Sequence, residues 1–238
     1  MIVRRATKGV WVTVAPVTRD EFATLFVRRG RYADSAGWDE LFWARTAGAP
    51  GPADQVLQRI GYSWPARRRS VRFVSWFEAD LFARSVGGRL PWSTEWAAWS
   101  EELPSRPPPK PGPWKIFTES KPERPPPEGP SRELLHELRK YYDTKESRAL
   151  NGFVIEPALS EWCGDYYHAT LAGPELPPDP YERRRTFTAG SSAEHRGAAA
   201  HHRAANLGFR VVFEDINSYT LTRLGAEWCH LGMRGTDG

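Results

Sequence analysis

The stretch VSWFEADLFARSVGGRLPWSTEWAAW, residues 74–99, decides the fold. Ser75 followed three residues later by Glu78 is a capping-box signature, in which each side chain satisfies a backbone N–H of the first helical turn. It predicts a helix over 76–86 whose buried stripe is Phe77, Leu81 and Phe82. Gly87-Gly88 then ends it, since glycine accepts the backbone angles of a helix stop. A shorter helix is predicted over 93–100, carrying Trp96 and Trp99.

Outward from this stretch the elements are short. Residues 10–14 alternate as a strand and stop at Ala15-Pro16. Thr18 with Glu21 forms a second capping box ahead of Phe22, Leu25 and Phe26, and Gly30 stops that helix. Residues 32–66 read as irregular, with at most a short helix near 38–44, and residues 71–75 read as strand-like. Between 104 and 130, eleven of twenty-seven residues are proline, too many for a helix or a central strand, so a polyproline-type surface insertion is expected there. An amphipathic helix is predicted over 131–142. Strands follow at 153–155, 185–188 and 208–213, and a second Pro-rich loop at 173–180.

Composition agrees with a loop-rich α+β fold. Aromatics make up 13% of the 238 residues and eleven are tryptophan, which suits a core of large flat rings held among short elements. The chain is expected to form one domain, 1–238, with the 104–130 insertion and a C-terminal extension at 213–238. A net charge of +4 does not make a nucleic-acid binder by itself. The arginine runs at 67–69 with Arg72, and at 183–185, lie beside Pro-rich loops without a nucleic-acid motif, so nucleic acid is not the expected partner. No apolar run reaches the length of a membrane span, no secretory signal opens the chain, and a cytoplasmic location is expected. Cys163 and Cys229 form no Cys-x-x-Cys pair. That argues against a disulfide framework and leaves a single bridge between them open.

Four stretches, in order, resemble the formylglycine-generating enzyme (sulfatase-modifying factor) family: PVTRDEF at 16–22, the 74–99 stretch, SEWCGDYY at 160–167, and AGSS…NLGFRVV at 189–212. The resemblance implies a C-type-lectin-like fold, with a small twisted antiparallel sheet, two main helices and extensive irregular loops. It also implies structural roles. Trp76, Trp96 and Trp162 would be core rings, Arg89 would pair across to an acid, and Gly208 before Phe209-Arg210 would let the last strand start against neighbouring backbone.

The same resemblance locates the chemistry. Oxygen-dependent members hold copper through two cysteines in G-G-S-Y-x-C-x-x-x-x-C, because soft thiolates suit Cu(I). Laid without a gap on Ala189-Gly190-Ser191-Ser192, that motif puts the two cysteines at Glu194 and Ala199, and neither supplies a thiolate. The family's calcium loop is altered too. Ala158 stands where an asparagine is usual, leaving Glu161 as one oxygen ligand of a residual site, although calcium takes six to eight. Calcium is therefore the only cofactor the residues could still attract; iron and copper are not expected.

The leading expectation is a non-catalytic module that binds a protein or small ligand through its 189–210 loop. The contacts would come from Ser191, Ser192, Glu194, His195, Arg196, His201, His202 and Arg203, with further partner contacts from 104–130 and 213–238. The resemblance extends to the variable proteins of diversity-generating retroelements, whose variable residues fall in the segment corresponding to 191–210. The alternative is an iron- or copper-dependent oxidase built from His195, His201, His202 and Glu194, with Ser191 and Arg203 or Arg210 positioning substrate. In this loop the spacing H-x5-H-H is not that of two ligands one helical turn apart.

Overall fold

The computed structural model describes residues 1–7, 10–33, 53–64, 66–101, 148–150, 153–155, 159–167, 184–188, 194–214, 220–225 and 228–232. The expected helix near 38–44, the 104–130 insertion, the helix over 131–142, the loop at 173–180, and Ser191 and Ser192 lie outside them.

Both capping boxes form. Thr18 opens α1 (Arg19–Phe22), with its hydroxyl accepting from the Glu21 N–H, and the helix runs on through a wider turn at Ala23–Val27. Ser75 opens α3 (Trp76–Ser85) in the same way with Glu78. Between them, residues expected to be irregular contain α2 (Ala53–Arg59), which buries Val56. Past α3 comes α4 (Ser93–Glu101), with Trp96 buried.

The strands form three antiparallel-rich sheets. In the first, the order is β10 (Thr220–Gly225), β11 (Trp228–Gly232), β1 (Ile2–Thr7), β2 (Val10–Thr13) and β9 (Val212–Phe213). The C-terminal extension thus supplies two strands beside the N-terminal one, with Ile2 opposite His230 and Val3 opposite Cys229. The second sheet is the pair β3 (Arg148–Leu150) and β4 (Phe153–Ile155). The third runs β7 (His195–Ala199), β6 (Arg184–Thr188), β5 (Ser160–Tyr166) and β8 (Leu207–Gly208). Among the described residues, only the β5–β8 pairing is parallel. Few helices around small antiparallel-rich sheets make this an α+β architecture, the class expected.

One core cluster takes residues from Val3 to Phe213, and aromatic rings fill its centre. Phe22 stacks on Phe82 at 5.6 Å, while Phe26 and Phe209 meet the same rings edge-on. Such offset and edge contacts are the favourable aromatic geometries. After the helix stop, a Cβ on Gly88 would come within 2.6 Å of the Val212 carbonyl. Glycine there lets Arg89 bond Val212 in both directions, at 2.9 and 2.8 Å, and so locks the 74–99 stretch onto β9.

Two expectations are corrected. Residues 71–75 do not form a strand: Val71 bonds Val17, Ser70 bridges Thr18, and Phe73 takes a positive φ of 58°, which breaks any ladder. The strand expected over 208–213 is split into β8 and β9: between them the Phe209 and Val211 carbonyls accept from the N–H groups of Val17 and Thr13, and the Val211 N–H donates to the Thr13 hydroxyl instead of to a backbone carbonyl. Cys163 is a buried free thiol, so it is not bridged to Cys229.

Candidate functional site

Two buried carboxylates organise the 194–213 segment. Glu78 completes its capping box through Oε2, which accepts the Ser75 N–H at 2.8 Å. The same oxygen accepts from Arg203 Nε at 2.8 Å; Oε1 accepts from the Tyr32 hydroxyl at 2.8 Å and from the Arg59 guanidinium. Burial opposes the charge on Glu78, but Arg203 and then Arg59 outweigh it and hold the carboxyl down at about 2. The sequence reading saw Glu78 as a cap and missed its second role. Burial and the Glu78 charge together push the Tyr32 hydroxyl up, so it stays a donor.

Glu161 and Arg210 form the second pair. Arg210 donates from Nε and Nη2 to the two carboxylate oxygens, at 2.5 and 2.6 Å, with side chains only 3% and 2% exposed. Nη1 also reaches the Thr13 carbonyl at 3.3 Å. Such a planar fork satisfies a carboxylate far better than a point charge can. A cation at Glu161 would have to displace this guanidinium. Arg203, expected among the ligand contacts, and Arg210, offered as a substrate-positioning residue in the oxidase alternative, both point into the scaffold.

The residues before Arg203 are placed differently. Segment 195–199, expected to be loop, is an edge strand in full register with β6, with Thr188 opposite His195 and Phe187 opposite Arg196. Glu194 and Arg196 pair at 3.1 Å with both side chains about three-fifths exposed. A tight turn follows, closed by the His202 N–H on the Ala199 carbonyl at 2.9 Å, and His201 and His202 stand exposed on it. The turn is pinned by the Trp76 N–H to Ala200 O and the Phe73 N–H to Ala204 O.

This geometry separates the three histidines. A five-residue strand spans about 13 Å at ~3.3 Å per residue, so His195 at its start and His201 and His202 beyond its end cannot share one ion. Among the described residues no group of three His, Cys, Asp or Glu side chains is placed to hold a metal. His195 is half-buried, its Nε2 has no hydrogen-bond partner among the described residues, and burial lowers its pKa against the pull of Asp165. Glu194, where the first copper cysteine would fall, just precedes β7, and Ala199, where the second would fall, ends it.

The remaining residues with expected structural roles lie around this segment. The fully buried Trp162 donates its indole N–H to Val74 O at 3.0 Å, and Trp76 donates to Cys163 O at 2.8 Å. Arg185 is sandwiched between the Trp76 and Tyr166 rings, 3.7 Å from each centre. Arg89 forks onto Glu95 at 2.8 Å twice and reaches Glu214 at 2.7 Å. A Cβ on Gly208 would meet the Val71 carbonyl at 2.6 Å. Three exposed rings escaped the sequence reading as surface features: Trp64 at 74%, Trp92 at 45% and Phe73 at 41%. Trp64 carries a readable signal, since it stands in the Pro- and Arg-rich WPARRR; Phe73 carries none, because its exposure follows from the positive φ.

No family model matches the chain, and no curated protein matches it. Among solved structures it is similar to one described as "Crystal Structure of CarF", with 12% identity over 86% of this chain and 85% of that one and a TM-score of 0.45. It is also similar to Treponema denticola variable protein 1, with 13% identity over 87% and 84% of the two chains and a TM-score of 0.42.

Proposed function

We propose that the protein is a non-catalytic binding module whose contacts are Glu194, His195, Arg196, His201 and His202, with Ser191 and Ser192 belonging to the same segment. One observation carries the reading. Within a single continuous segment, Arg203 and Arg210 are consumed by buried carboxylates while Glu194, Arg196, His201 and His202 are displayed on a pinned strand and turn. Variable contacts on a rigid frame are the usual arrangement of a binding surface. Glu194 and Ala199 in place of thiolates support the absence of copper chemistry. The 104–130 segment remains a second candidate contact. No cofactor enters the proposal, and the module is placed in the cytoplasm, where a buried thiol such as Cys163 stays reduced. No helix among the described residues is long and apolar enough to cross a membrane.

The test compares wild type with the variant E194A/R196A/H201A/H202A in pull-downs from the native host, after equal melting temperatures show both are folded. Partners held by wild type and lost by the variant are expected; an unchanged partner set refutes the assignment. Metal analysis of untagged protein is the second arm. Stoichiometric iron or copper that disappears in H201A/H202A would replace the module with the oxidase.

A further inference from the structure

A second surface, formed by α1 and residues 61–73, is independent of the segment just described. Its chemistry is set by WPARRRSVRF at 64–73, which has four arginines and no carboxylate. The structure makes a rigid ridge of it. The Ala66 N–H bonds Ser63 O and the Arg69 N–H bonds Ala66 O, each at 3.0 Å, giving two successive tight turns. The carbonyls of Arg67 and Arg69 then accept the N–H groups of Asp20 and Arg19, both at 2.9 Å, which fastens the ridge to the first turn of α1. Arg68 and Arg69 stand exposed on it.

The neighbouring α1 surface adds to the charge. Arg19 reaches the Gly61 carbonyl at 2.6 Å, and Arg28 lies over the Tyr62 ring at 5.0 Å. The nearby acids are engaged: Asp20 accepts from the Tyr62 hydroxyl, and Glu21 serves the Thr18 cap and the terminal amine. Flat rings flank the arginines. Trp64 is 74% exposed, with the Arg67 guanidinium 3.5 Å from its centre. Phe73, 41% exposed, ends the ridge at a backbone angle that a bulky residue adopts only under constraint. In the other arginine run, Arg185 is instead stacked between Trp76 and Tyr166, while Arg184 stands exposed.

We propose that this ridge binds single-stranded nucleic acid, with Arg68 and Arg69 meeting phosphates and Trp64 and Phe73 offering their rings to unpaired bases. Guanidinium groups match phosphate geometry, and exposed rings beside them form the stacking platform that distinguishes a single strand from a duplex. The arginine run read as no nucleic-acid motif in the sequence, where neither the turns nor the ring exposure is visible.

The test is fluorescence anisotropy of a labelled oligothymidylate of about 12 nucleotides, with a duplex of equal length and a poly-glutamate peptide as competitors. Binding is expected at about 50 mM salt, weakening with log salt at a slope of about −1.4 for about two phosphate contacts. R68E/R69E should weaken it at least about tenfold, R68K/R69K should largely restore it, and W64A should weaken it about tenfold without changing the salt slope. H201A/H202A should leave it unchanged, which separates this surface from the 194–202 contacts. The proposal is overturned by no binding, by a duplex that binds equally well with no effect of W64A, or by a poly-glutamate peptide that competes equally and shows the same dependence on Trp64. The last outcome would assign the ridge to an acidic protein segment.

Discussion

Residues 194–202 and 203–213 are consecutive in one motif, yet they are held in opposite ways. Among the described residues the first half pairs along one edge only, to β6; Glu194 and Arg196 meet each other, and His201 and His202 stand exposed. The second half threads between β2, β5 and the 70–73 turn, and its two arginines end on buried acids from other elements. The difference teaches that the two halves of the segment do separate jobs. Arg203 and Arg210 hold the scaffold whatever the 194–202 surface displays.

The sharpest way to break this contrast is R210A. Removing the guanidinium leaves Glu161 charged and unpaired in the interior, at a cost of about 3–5 kcal/mol. A fall in melting temperature of roughly 10 °C is expected by calorimetry. A fall no larger than that of a surface substitution would remove Arg210 from the frame.

Next in size is acid. The folded carboxyl of Glu78, at about 2, lies below its unfolded value of about 4.3, so its contribution is fully present above pH ~4.3 and is lost as pH falls toward 2. The loss amounts to about 3 kcal/mol. Melting temperatures from pH 6 to pH 2 should fall more steeply for wild type than for E78Q, which starts lower. Parallel curves would show that Glu78 is not the titrating acid.

The smallest effect belongs to H201A/H202A. Both imidazoles are exposed, so stability should change by no more than about 0.5 kcal/mol in urea unfolding. A loss near that of R210A would show that the turn is part of the frame and would remove the distinction between the halves.

Much of the frame was readable because its signals are local. The Thr18/Glu21 and Ser75/Glu78 boxes announce two helices within four residues each, and Gly87-Gly88 announces the stop. What escaped depends on distant partners. Helix α2 had a faint local trace, with Val56 and Ile60 one turn apart and Gly61 after them, but its flanks hid it. Strand β7, HRGAA, has no β-branched residue and exists because β6 offers a complete edge. At the site, the residue types of 194–202 were legible and their directions were not. The histidine cluster of the oxidase alternative required His195 to fold back on His201, and the strand holds them apart. That Glu161 and Arg210 serve one another could not be read from residues forty-nine apart.

The pairing of β1 with β11 has a consequence for biosynthesis. Ile2 lies opposite His230, so β1 waits through the synthesis of more than two hundred residues before that ladder can close. In the interval β1 is an unprotected edge, the kind of surface that templates association between nascent chains. Completion of the sheet is therefore timed by synthesis of the 220–232 hairpin, and shortening the chain before residue 220 should appear first as aggregation during expression.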